Sequence, residues 1–134
     1  VPFIHQVWPE AENVPITIRS DIDRTTAQNV ADWLSQQLND PKTLLIVSSD
    51  MSHYLLDKTA LKNDEETRQA LQANDQPFFW SAKDGYTDNG KSIWIAQEAL
   101  RKAGYHWEEL DHSISTRYGG ASGFTTSYIN GFWR

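Results

Sequence analysis

The chain has 134 residues, enough for one domain with a real core, though small for an α/β protein with a complete two-sided sheet. Twelve Lys and Arg against 18 Asp and Glu give a net charge of −6, with the bases scattered rather than striped, so nucleic-acid backbone binding is not expected. Zero cysteines exclude disulfides, thiolate metal ligands and a cysteine nucleophile.

No apolar run approaches the roughly 20 residues of a membrane helix, and no charged-then-apolar leader opens the chain, so neither membrane nor export is expected and a cytoplasmic location is the default. The start at Val1-Pro2-Phe3-Ile4 is apolar at once, which suggests a fragment or a processed chain. Six Trp, five Tyr and five Phe supply much apolar surface for a small core or an interface.

In chain order, Asn13-Val14-Pro15-Ile16-Thr17-Ile18 reads as a short strand, with Pro15 favouring an edge or a strand start. Asp21 and Asp23 are cap candidates for a helix over 24–39, where Ala27, Val30, Ala31, Leu34 and Leu38 form one apolar stripe that Pro41 ends. Thr43 to Val47 follows as a strand. Its run Leu44-Leu45-Ile46-Val47, with no polar alternation, predicts burial on both faces as in a parallel sheet. Strand, helix and strand in about 35 residues predict a right-handed crossover and a parallel pair.

Lys58 to Ala73 reads as a charged surface helix, and 75–90 as mostly loop, with turn signals at Asp84-Gly85 and Asn89-Gly90. Lys91 to Ala103 is apolar on nearly every side and should be the most buried helix, ending at Gly104. Glu109–Tyr118 and Thr125–Trp133 should pair as a β-hairpin across Gly119-Gly120-Ala121-Ser122-Gly123. The expected fold class is α/β: a mixed sheet with a parallel βαβ unit, flanking helices and a C-terminal hairpin, in a single domain over 1–134.

The carboxyl end of the 43–47 strand is polar at once: Ser48-Ser49-Asp50-Met51-Ser52-His53-Tyr54. Ligands of open α/β sheets bind outside the carboxyl ends of strands, which makes Asp50 and His53 the candidate catalytic pair. Three residues apart, they would share a face of a helical turn, and a carboxylate beside an imidazole suits a general base. The competing reading is an ordinary helix cap at Ser-Ser-Asp with His53 on the surface. His5, His106 and His112 have no metal-ligand spacing, and Ser48, Ser49 and Ser52 lack a G-x-S-x-G elbow. The Gly119–Gly123 segment could cradle an anion, but between two strands a hairpin connection is the stronger reading.

The string Ser48-Ser49-Asp50-Met51-Ser52-His53-Tyr54 resembles the S-S-D-x-S-H-Y segment of the Memo-like family, whose bacterial members include the B component of the AmmeMemoRadiSam system. Glu66-Thr67 matches an E-T pair in the family's next helix. Val1-Pro2-Phe3-Ile4 with Val14-Pro15-Ile16 resembles its helix-to-strand segment, and Arg117-Tyr118 with Ser122-Gly123 its R-Y…S-G ending. Tyr128 falls in the last strand's V-x-Y-A-A pattern, with Ile129-Asn130 in place of the small residues.

The resemblance implies the C-terminal half of a fold shared with class III extradiol dioxygenases, which are non-haem iron enzymes. It makes His53 the pocket histidine, Asp50 its neighbour and Ser49 part of the pocket wall. It also places Asn89 where the family has a metal-position Cys before Gly, and puts two metal-position histidines in sequence that would precede Val1. The expectation is therefore no metal site and no cofactor in this chain, with iron or copper possible in a full-length protein. Expected partners are the missing N-terminal half or a second copy, with a small-molecule or peptide ligand. The alternatives are a phosphopeptide-binding adaptor and an inert structural domain.

Overall fold

The computed structural model describes residues 2–101, 104–119 and 123–134. Five helices precede one hairpin: α1 (Pro2–Val7), α2 (Arg24–Gln37), α3 (Asp57–Ala73), α4 (Gln76–Ser81) and α5 (Gly90–Arg101), then β1 (Trp107–Ile114), a 3-10 turn (Ser115–Tyr118) and β2 (Ser127–Trp133). No helix among the described residues is long and apolar enough to cross a membrane.

The α5 helix is the axis of the core, as its all-round apolar sequence requires: Ile93, Trp94, Ile95, Ala96, Ala99 and Leu100 are all buried. The α2 and α4 helices pack against it, α2 through Ala27, Ala31 and Leu34 and α4 through Phe79. Asp23 starts α2 by accepting hydrogen bonds from the Thr26 N–H at 3.0 Å and the Thr26 hydroxyl at 2.6 Å, so it is the cap; Asp21 is instead held by Arg19. Arg24, in the first turn, lies over the rings of Trp94 and Trp80 at 4.1 and 4.5 Å and ties α2 to the α4–α5 corner. That corner needs Gly90, because a Cβ there would run into the Phe79 carbonyl and the Ala82 methyl.

The segment 75–90, expected as loop, contains α4. Asp75 caps it by accepting from the Phe78 N–H at 3.0 Å, and Pro77 sits in its first turn, where a missing N–H costs nothing.

The hairpin forms with β1 and β2 antiparallel, from Trp107 opposite Trp133 to Ile114 opposite Ser127, with a bulge at Glu109/Asp111. It starts two residues earlier than expected, and 115–118 is 3-10 rather than strand. The middle of its connection, 120–122, and the expected helix end at Ala103 lie outside the described residues. Beneath the hairpin is α3, joined to it by two polar ties. In the first, Asp64, fully buried, accepts from Ser127 Oγ at 2.7 Å and stands 2.8 Å from His112 Nε2; in the second, Arg68 clasps the Glu109 carboxylate at 2.9 Å.

The expected parallel pair requires correction. The sheet among the described residues is the two-stranded antiparallel hairpin; residues 13–18 and 43–47 form no ladder with each other or with anything else. Within 44–50, exposure nevertheless alternates residue by residue, the period of an extended strand. Leu45 and Val47 turn to the core, whereas Leu44 and Ile46 are 64% and 51% exposed. The run written for two buried faces is covered on one.

Candidate functional site

After Val47 the chain runs without helix to Leu55, and the expected helical turn at 50–53 is absent. Two backbone bonds dock the following stretch along the start of β2: Ser127 N–H to Ser52 O at 2.7 Å and Thr125 N–H to Leu55 O at 2.8 Å. Ser52 is buried and donates to the Gly85 carbonyl at 3.2 Å. Tyr54 then takes a left-handed conformation (φ 54°) with its ring in solvent, an unusual state for a bulky residue that the docked neighbours impose.

The loop 85–89 closes over this segment. Asp88 N–H donates to Asp50 O at 3.0 Å, and the Ser49 and Thr87 hydroxyls are 2.8 Å apart. Tyr86 donates its hydroxyl to Glu66 Oε2 at 2.8 Å, and that carboxylate holds the phenol above its ordinary pKa. Glu66-Thr67 is thus a support: Glu66 anchors the loop, and buried Thr67 packs inside α3 with its hydroxyl on the Asn63 carbonyl. Asn89 donates to the Ile18 carbonyl at 2.6 Å, which leaves its buried Oδ1 without a partner.

His53 is mostly buried. Its Nδ1–H donates to the Met51 carbonyl at 2.9 Å, which fixes the ring and turns Nε2 to Asp88 Oδ1, 3.3 Å away. The histidine's carboxylate neighbour is therefore Asp88, not Asp50. In an extended segment the i and i+3 side chains point to opposite sides, and Asp50 is exposed, with no side-chain bond among the described residues. Asp50 does not cap α3 either: the N-cap position of that helix is Leu56, which makes no side-chain cap bond. Sequence spacing had no means of finding Asp88, which lies 35 positions from His53 in a turn-forming string.

The remaining candidates separate cleanly. Ser49 and Ser52 bond to Thr87 and Gly85 rather than to His53, so no activated serine exists there. At Asp64 the carboxylate stands between Ser127 and His112, the wrong order for a nucleophile relay, and reads as a pin for the hairpin. No group of three or more His, Asp or Glu side chains is placed to hold a metal among the described residues. Asn89 adds one neutral amide oxygen, a poor donor for a first-row transition metal. These residues do not by themselves fit a metal shell.

Next to this cluster lies a groove of about 1160 Å³ that runs between residues 10–18 and 42–49, floored by Ser92, Ile95 and Ala96 of α5 and ending at Ser49, Asp88 and Asn89. The molecule is thus a mixed α/β protein in which Asp88, the carboxylate beside a fixed histidine, lines one end of a large groove. The Memo-like protein family model matches residues 1–131, so the chain belongs to the Memo-like family. A MEMO1 family protein of Thermotoga sp. (strain RQ2) is 32% identical to it over 76 residues, 56% of this chain. That match spans about a quarter, 27%, of the relative's length.

Proposed function

We propose that this chain builds one wall of a small-molecule pocket in a protein related to the class III extradiol dioxygenases, with His53 as its proton-transferring group. The observation that carries this reading is the fixed ring of His53, with Nδ1 committed to the Met51 carbonyl and Nε2 directed at Asp88 beside the groove. A ligand hydroxyl that takes the place of the half-exposed Asp88 carboxylate beside Nε2 would give its proton to Nε2 and receive it back on oxygen as the ligand leaves. Ser49 lines the same end of the groove as Asp88, and Asn89 Oδ1 is a buried acceptor without a partner among the described residues.

Iron or copper belongs to this reading only with donors from sequence beyond these residues. The groove carries Glu10, Glu12 and Asp88 against Lys42, a charge balance that favours a neutral aromatic diol over a phosphopeptide.

The test is oxygen uptake by the full-length polypeptide supplied with ferrous iron and a panel of catechols. His53→Gln should lower kcat by roughly a hundredfold or more, the scale of general acid–base catalysis, with a much smaller change in KM. Failure of the wild type to bind or turn over any diol, or an unchanged kcat in His53→Gln, would overturn the reading.

A further inference from the structure

We propose, building on the reading of His53 as the proton-transferring group, that Tyr54 is the specificity residue of the same site. Its ring forms an aromatic wall against which a planar ligand lies while the ligand hydroxyl meets His53 Nε2.

Among the described residues, two non-glycine positions have positive φ: Tyr54 at 54° and Asn74 at 53°. Asn74 ends α3, a place where asparagine takes the left-handed conformation at little cost, and Gly104, Gly119 and Gly123 take it freely. Tyr54 instead puts a bulky side chain there, with its Cβ crowded against the backbone. The conformation is held from both sides. Ser52 O accepts from Ser127 N–H and Leu55 O from Thr125 N–H, while buried Ser52 donates to Gly85 O.

The turn at 54 brings two neighbouring side chains together. In an extended chain the side chains of 53 and 54 would point to opposite sides. Here their rings meet edge to face, with centroids 5.4 Å apart and planes at 75°. The Tyr54 ring is 79% exposed, and its hydroxyl makes no hydrogen bond among the described residues. Core burial therefore does not offset the strain, and a residue held in a strained state by its surroundings is a mark of a ligand site.

The ring's place beside the imidazole selects a flat ligand. His53 Nδ1 is committed to Met51 O, and Nε2 faces the half-exposed Asp88. A phenolic hydroxyl that replaces this carboxylate brings its own ring up to the imidazole, where the Tyr54 ring is already in contact and otherwise free. A saturated alcohol can place the same hydroxyl but has no flat face to stack.

Kinetics of the full-length polypeptide supplied with ferrous iron test this, with catechol as substrate and phenol and cyclohexanol as competitors. Tyr54→Gly should raise KM for catechol and the inhibition constant of phenol roughly tenfold, the scale of one aromatic contact, with a much smaller change in kcat. The inhibition constant of cyclohexanol should stay within about twofold, since no stacking is lost. Tyr54→Phe, which keeps the ring, should restore the wild-type values. Because glycine takes φ 54° without strain, Tyr54→Gly should unfold at the same urea concentration as the wild type or a higher one. A lower urea midpoint would make the ring a packing element, and an equal loss in Tyr54→Phe would move the role to the hydroxyl; either result overturns the proposal. Unchanged constants in Tyr54→Gly, where His53→Gln loses kcat, would overturn it and leave the reading of His53 standing. A wild type that turns over no catechol would overturn both.

Discussion

The C-terminal hairpin with α3 and the segments 10–18 and 42–49 draw on similar residues, yet one is closed and the other is open. In the hairpin every strand residue from Trp107 to Ile114 except the bulged Leu110 lies along a partner, and buried Asp64 joins the strands to the helix below. In the groove walls, aliphatic stretches pack on the core with one face and make no backbone–backbone hydrogen bond among the described residues. Apolar content alone therefore does not close a sheet. The hairpin partners are joined by a short connection and need little loop entropy to meet, whereas the two groove walls are separated in sequence by the α2 helix.

If Asp64 is what keeps the closed region closed, removing it should have the largest effect. Asp64→Ala leaves His112 Nε2 and Ser127 Oγ buried without a partner and should cost about 3–5 kcal/mol in urea unfolding, the scale for breaking a buried charged network. Asp64→Asn, which keeps one acceptor, should cost clearly less. Equal stability of Asp64→Ala and wild type would show that hairpin packing alone closes this region. Because Ser127 N–H also holds Ser52 O, amide exchange at 52–55 should rise in the same variant.

The open region gives the complementary test. Ile46 is half exposed, so as a surface residue its truncation would be nearly neutral. If this face is covered in solution, Ile46→Ala should instead cost about 2–4 kcal/mol, as a core residue does. A near-neutral result would mean that the two regions differ permanently, with the outer face of 44–47 left to solvent.

The same contrast explains what the sequence revealed. The α2, α3 and α5 helices were legible because their apolar spacing is local, and the Asp23 cap because it acts within one turn. The α4 helix was hidden by its brevity and its flanking turn signals, though Asp75 two residues before Pro77 is a start signal. Residues 43–47 were correctly extended and aliphatic, but a ladder depends on distant partners, and the string itself does not say whether they adjoin. At the site, the family-like string singles out His53, and Asp50 lies apart from it because the chain is extended there. Asp88 and Glu66 reach the cluster only through the folding of the 85–89 loop.

The smallest expected effect lies on the groove's own side, at the start of α2. Asp23 is solvent-exposed, and its pKa is held below the ordinary carboxylate value, first by the Thr26 hydroxyl and then by the Thr26 N–H. A folded-state pKa below the unfolded one means that its stabilisation is complete above about pH 4, the ordinary aspartate range, and is lost as pH falls through the depressed value. Asp23→Asn keeps a good cap but removes the titrating charge. Its unfolding midpoint should match the wild type closely near neutrality while showing a shallower decline below pH 4. An acid limb identical to that of the wild type would mean that the Thr26 contacts contribute equally to both protonation states. The α2 wall of the groove would then depend on its apolar contacts with α5 and on the cation–π clasp of Arg24, with no measurable share from its cap charge.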